Sequence, residues 1–161
     1  MPHVTNLATK ALNPTLVALA DKRGFSTLGS RRLFTAAGFL CSAAMLLPIS
    51  RARVLSPWVS TALFSAANCF FGLAPSGFKA NYLDITERYV GIISGYGNTL
   101  GTLASWAGPQ LVAAILARTG SWDLVLGCVA LTNVVAAGNY YLHSTVNVVE
   151  REAAAAAKKK A

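Results

Sequence analysis

Six polar side chains stand inside otherwise apolar runs of this chain: Asn68, Asn98, Thr99, Ser105, Gln110 and Asn133. An amide or hydroxyl without a partner is costly away from water, so each must bond a neighbouring helix or line a wet path. Both uses stay open for Asn68. Asp84 and Arg88 are the other candidates: four residues apart, they can pair across one helical turn and latch one conformation, or sit solvated at a membrane edge. Other chemistry has less to stand on. Cys41, Cys69 and Cys128 fall singly in apolar runs, without CxxC spacing or a nearby histidine, and read as small packing side chains. His3 and His143 have no ligand-spaced partner. No nucleophile–base pair, metal cluster or phosphate loop is legible, so the expectation is no enzyme, no catalytic residue, no metal and no cofactor.

The elements that must position these residues are membrane helices. Of the 161 residues 54% are apolar and 12% charged, against about 25% charged in soluble domains. The formal charge of +8 could suggest nucleic acid, but the basic residues flank apolar runs instead of lining one face with aromatics. They read as flanking charges, with the lipid bilayer as partner and no nucleic acid. Charge-free intervals predict an all-α membrane protein with four clear spans, at about 33–50, 57–78, 89–117 and 124–142. Pro109 is expected to kink the third, and Trp122, Tyr140 and Tyr141 to anchor the fourth at the interfaces. Before Arg32 the pattern is weak. The run Ala11–Ala20 holds Asn13 and Pro14 and is too short to cross, so 1–32 reads as a truncated helix and a basic loop.

Between the second and third intervals lies a polar hinge carrying Lys79, Asp84, Glu87 and Arg88. A Gly-rich helix pattern follows, with Gly91, Gly95, Gly97 and Gly101 at four-residue spacings. Such glycines let another helix approach closely. Counting Lys and Arg gives ten on the side of the Asp21–Arg32 loop, the Lys79–Arg88 loop and the C-terminus, and three on the other. Positive-inside bias therefore places the C-terminus in the cytoplasm or its organellar equivalent; 143–161 reads as a cytoplasmic Ala/Lys tail, and its final Ala153–Ala157 run with three lysines as a solvated helical end near anionic headgroups. No acid, histidine or arginine lies deep in any of the four intervals.

The words Ser76-Gly77-Phe78, Asn81-Tyr82-Leu83-Asp84-Ile85, Arg88-Tyr89, Gly91, Gly95, Asn98-Thr99, Gly101-Thr102 and Gly108-Pro109 resemble the tenth and eleventh helices of the anion:cation symporters. These are organic-anion and phosphate carriers of the major facilitator superfamily. Ala20-Asp21-Lys22-Arg23-Gly24 with Arg31-Arg32 is similar to the basic loop between that superfamily's eighth and ninth helices. The resemblance implies a C-terminal fragment, about helices 8 to 12, whose first seven helices are absent and whose substrate-reading charges lie mainly in the missing half. It implies alternating-access transport of an organic anion or inorganic phosphate, coupled to Na⁺ or H⁺, in a complete protein. It places Asn98 and Thr99 as substrate-path candidates, with Asn68 beside them on polarity alone. Where the family commonly has a proline, Glu87 stands before Arg88. The implied partners are the missing half or another membrane chain, and a small anionic substrate. The alternative is a non-transporting truncated membrane protein that packs as a helix partner or adaptor.

Overall fold

A computed structural model describes residues 2–51 and 56–151; Arg53 and the Ala153–Ala157 and Lys158–Lys160 runs lie outside the described residues. Among the described residues six α-helices follow one another: α1 Pro2–Lys22, α2 Thr27–Arg51, α3 Pro57–Phe71, α4 Ala74–Asp84, α5 Val90–Thr119 and α6 Trp122–His143. Local chemistry sets several ends. Pro57, whose ring presets a helical φ, opens α3. Gly120, in the left-handed region at φ 62°, closes α5, and Ser121 caps α6 by accepting the Leu124 amide.

Three of these helices are long and apolar enough to cross a membrane: α2 over Thr27–Ser50, α5 and α6. The chain is thus an integral, multi-pass membrane protein. Of the four intervals expected from sequence three are such single helices, and the second is not one helix. It is broken at Gly72-Leu73 into α3, of 15 residues, and α4, of 11. Pro75 supplies the cause. It has no N–H to give the Phe71 carbonyl, and its ring crowds that carbonyl. Gly72 and Leu73 keep right-handed helical torsions, so the chain continues in the same sense beyond the break. The fourth helix then runs on to Asp84, so Lys79 is helical and the connecting loop shrinks to 85–89.

At the N-terminus, read as a truncated helix and a basic loop, α1 is a 21-residue helix with Pro14 inside it, and it is not among the helices long and apolar enough to cross. Counting apolar residues fails there because α1 packs through polar ones. Thr5, Thr9 and Asn13 recur every four residues and so share one face. The Thr5 hydroxyl donates to the Ser65 carbonyl at 2.9 Å, Thr9 meets the Cys69 sulfur at 3.1 Å, and Asn13 Nδ2 donates to the Gly72 carbonyl at 2.9 Å. Asn6 adds a bond to the Asn68 carbonyl at 2.8 Å. The polar stripe that hides the helix in the sequence is its seam with α3.

At the centre stands α2, packed against α6, α3 and α4. Its contact with α4 is close because small residues face each other. A methyl group on Gly38 would stand 2.6 Å from the Ala74 nitrogen, and one on Gly77 would stand 2.7 Å from the Thr35 nitrogen. Beside this crossing Phe39 packs on Phe71 and Phe78, at ring separations of 5.7 and 6.1 Å. By contrast α5 touches α4 and α6 lightly, and none of its 30 residues is buried.

Candidate functional site

The polar residues predicted from sequence separate into two places. Asn68, on α3, lines a pocket of about 370 Å³ with Ser42 and Leu46 of α2, Phe71 of α3, and Leu126 and Asn133 of α6. Its side chain donates to the Phe64 carbonyl at 2.9 Å, one turn back along its own helix. Asn98 and Thr99 lie on the exposed surface of α5, which contributes no residue to that pocket. The Thr99 hydroxyl donates to the Gly95 carbonyl at 2.9 Å, and Thr102 donates to that of Asn98 at the same distance. These α5 hydroxyls are therefore satisfied without a neighbouring helix.

The four glycines of α5 divide as unevenly. A methyl on Gly97 would meet the Tyr82 hydroxyl oxygen at 2.7 Å, whereas Gly91, Gly95 and Gly101 have nothing within 4 Å of such a methyl. Gly97 meets a side chain, whereas the backbone of another helix comes close at Gly38, Gly72 and Gly77, outside that pattern. Gly77 stands in the quoted sequence words, but no spacing marked it as a contact.

The charged residues form a knot where the start of α2, the end of α4 and the chain beyond α6 meet. Arg31 grips Asp84 with Nε at 2.7 Å and a terminal nitrogen at 3.3 Å, and donates to the Ser76 carbonyl at 3.2 Å. Both side chains are mostly shielded, at 16% and 18% exposure. So Asp84, for which a pair with Arg88 on the next turn and a solvated position were both open, is held by Arg31 of another helix, 53 residues earlier. The helix ends after Asp84, which removes the one-turn geometry. The Arg88 guanidinium instead lies 5.7 Å from the Tyr89 ring centroid. Arg32 donates to both the hydroxyl and the carbonyl of Ser144 at 3.0 Å and lies over the Tyr141 ring.

Residues 144–151, which follow α6, fold back across this knot. Asn81 donates to the Thr145 carbonyl at 2.8 Å, and the Val149 amide to the Ile85 carbonyl at 3.0 Å. Glu150 accepts from the Thr86 hydroxyl and, at 3.1 Å, from the Arg88 amide. The Thr86 hydroxyl first, and backbone amides after it, hold the Glu150 carboxyl below the usual glutamate range, while partial desolvation opposes them. Arg151 pairs with Glu87 on the surface. Among the described residues no group of three His, Cys, Asp or Glu comes together.

Comparison with known proteins gives this arrangement a context. No family model matches the chain. Individual proteins do. It is 33% identical over 108 residues to "Probable anion transporter 7" of Oryza sativa subsp. japonica, covering 66% of this chain and 24% of that protein. It is 36% identical over 97 residues to "Vesicular glutamate transporter 1" of Bos taurus, covering 60% and 17%. With "Probable vesicular glutamate transporter eat-4" of Caenorhabditis elegans it shares 30% identity over 133 residues, covering 82% and 23%. The chain thus aligns with less than a quarter of the length of each.

Proposed function

We propose, from the premise that this chain is homologous to the anion:cation symporter family of the major facilitator superfamily, that it is the anion-carrying scaffold of a secondary transporter. The carrying observation is the identity shared with two kinds of anion transporter, one from plants and one from animals. The substrate is an organic anion or inorganic phosphate, moved by alternating access and coupled to Na⁺ or H⁺. Asn98 and Thr99 are the path residues, since α5 leaves them uncovered. The knot of Arg31, Arg32 and Asp84 lies at the cytoplasmic end, where basic residues concentrate. There the pairing of Asp84 with Arg31 fastens α2 to α4, and a carrier that must open at this end has to work against it. The α3–α4 pair crosses as one broken span. Fifteen residues of helix rise only about 22 Å, short of a hydrocarbon core of about 30 Å, and α4 supplies the remainder.

The test is uptake of labelled phosphate and labelled organic anions into proteoliposomes holding the longest natural protein that contains this sequence. Uptake that responds to a Na⁺ or proton gradient, and that falls in Asn98→Ala and Thr99→Val while the folded protein remains abundant, is the expected result. Absence of uptake for every anion tried would sink the proposal.

A second reading, a helix partner that does not transport, is favoured by one observation. Gly91, Gly95 and Gly101 present bare backbone on an uncovered helix, the surface at which another membrane helix packs closely. Co-purification of a second membrane chain, lost in Gly95→Leu, combined with no uptake, would favour it.

A further inference from the structure

One cation at the basic end of the bundle has no counter-charge. Arg31 is neutralised by Asp84, but its neighbour Arg32 is half-buried and enters neither of the ion pairs found among the described residues. Its partners in the chain are neutral. Ser144 takes the Nε hydrogen and one on Nη2, and the Tyr141 ring centroid lies 5.1 Å from the guanidinium carbon. A guanidinium carries five N–H groups, so three are not spent on Ser144. A partly desolvated cation in this state favours an anion.

Arg32 stands at the head of a groove between α2 and α6. One part, of about 410 Å³, is walled by Phe25, Ser26, Gly29, Arg32 and Leu33. A second, of about 440 Å³, continues along Leu40, Val134, Gly138 and Leu142. Ala36 and Tyr141 line both, so the two form one trough. Among the described residues no acid lines either part. The helices run antiparallel here, since Arg32 meets Ser144 while Leu40 shares a wall with Val134. From Arg32 to Leu40 the eight steps of α2 rise about 12 Å, against about 15 Å for half of the hydrocarbon core. The trough is therefore charged at one end, apolar beyond it, and about as deep as one leaflet. Its floor is open at Gly138, where an added methyl would have nothing within 4 Å. Leu33, Leu40 and Leu142 are exposed along it, on helices apolar enough to cross a membrane.

We infer that this trough binds one anionic phospholipid, with its phosphate against Arg32 and an acyl chain lying between α2 and α6 over Gly138. A small free anion would use the single guanidinium and leave the apolar length of the groove empty. An amphiphile uses both, because its chain gains from apolar contact and its phosphate from the unpaired charge. The bound lipid would bridge the start of α2 and the end of α6, beside the contact of Arg32 with Ser144. The inference is independent of whether the chain carries an anion.

Native mass spectrometry of the 161-residue chain in detergent, titrated with phosphatidylglycerol and with phosphatidylcholine of the same acyl chains, tests it. The first phosphatidylglycerol is expected to bind about fivefold more tightly, the factor that one basic side chain contributes near a membrane surface. Arg32→Gln should abolish that preference, and Arg32→Lys should keep most of it. Ser144→Ala removes the hydroxyl that Arg32 holds but not the charge, and should leave the preference intact. So should Arg23→Gln, which removes an exposed arginine at the same end but outside the groove. Gly138→Leu fills the trough and should weaken both lipids on the order of tenfold. Because that variant keeps Arg32 and Ser144 in place, it decides the site even where Arg32→Gln does not fold. Equal binding of the two lipids, a preference that survives Arg32→Gln, or unchanged binding in Gly138→Leu would overturn the proposal. So would an equal loss in Arg23→Gln, which would mark a diffuse attraction to the whole basic end.

Discussion

At the scale of single residues, the structure distinguishes glycines that the sequence makes look alike. Gly77 has Thr35 and Arg31 of α2 where a side chain would be, whereas Gly95 has open space. Gly77→Ala is expected to push α4 from α2 and cost about 1–3 kcal/mol in detergent unfolding experiments. Gly95→Ala in the same assay is expected to be neutral or to stabilise by up to about 1 kcal/mol, through helix propensity alone. The ion pair separates its candidates in the same way. Asp84→Asn leaves Arg31 shielded without its counter-charge and should cost on the order of 3 kcal/mol. Arg88→Gln loses a contact with one exposed ring and should cost less than about 1 kcal/mol. The motif words named Asp84 and Arg88 but could not show that Asp84's partner comes from another helix. Proximity along the chain was the available signal, and the fold overrode it.

At the scale of elements, what was legible followed from one physical quantity, the length of uninterrupted apolar sequence. It identified α5 and α6, and α2 apart from its polar first turns, because lipid demands long apolar helices. It could not identify α1, whose interface is made by hydroxyls and amides, nor the break between α3 and α4, where Pro75 interrupts hydrogen bonding without interrupting hydropathy. The seam predicts its own perturbation. Asn13→Leu would leave the Gly72 carbonyl without its donor and is expected to loosen α1 from α3 by about 1–3 kcal/mol. Hydrogen exchange checks this, with faster exchange confined to α1 and the adjoining turns of α3. Uniform acceleration across all six helices would show that the seam is not a local joint.

At the scale of the whole molecule, residues 144–151 after α6 belong to the bundle. The Glu150 carboxyl, held below its ordinary range by Thr86 and backbone amides, favours the docked segment when ionised. The sign follows from linkage: docking is fully favoured above the ordinary glutamate value of about 4.3 and is lost as pH falls through the lowered folded value. Glu87, Arg88 and Arg151 surround the same spot, so salt should weaken the docking as well. Proteolytic nicking after Ser144 is expected to speed up under acid conditions in the parent chain. In Glu150→Gln it should be faster at neutral pH and largely insensitive to acid. Equal pH profiles in the two proteins would show that Glu150 is not the switch.

The knot also makes the bundle mechanically lopsided. Arg31 with Asp84, Arg32 with Ser144, Asn81 with Thr145 and Thr86 with Glu150 all fasten α2, α4 and α6 at the same end. Away from that end, the α2–α4 crossing depends on small residues in van der Waals contact, which resist compression but offer little against parting. A load that spreads these helices would meet a riveted end and a compliant one, like tongs held at the pivot, and the jaws would open toward the C-terminal end of α2.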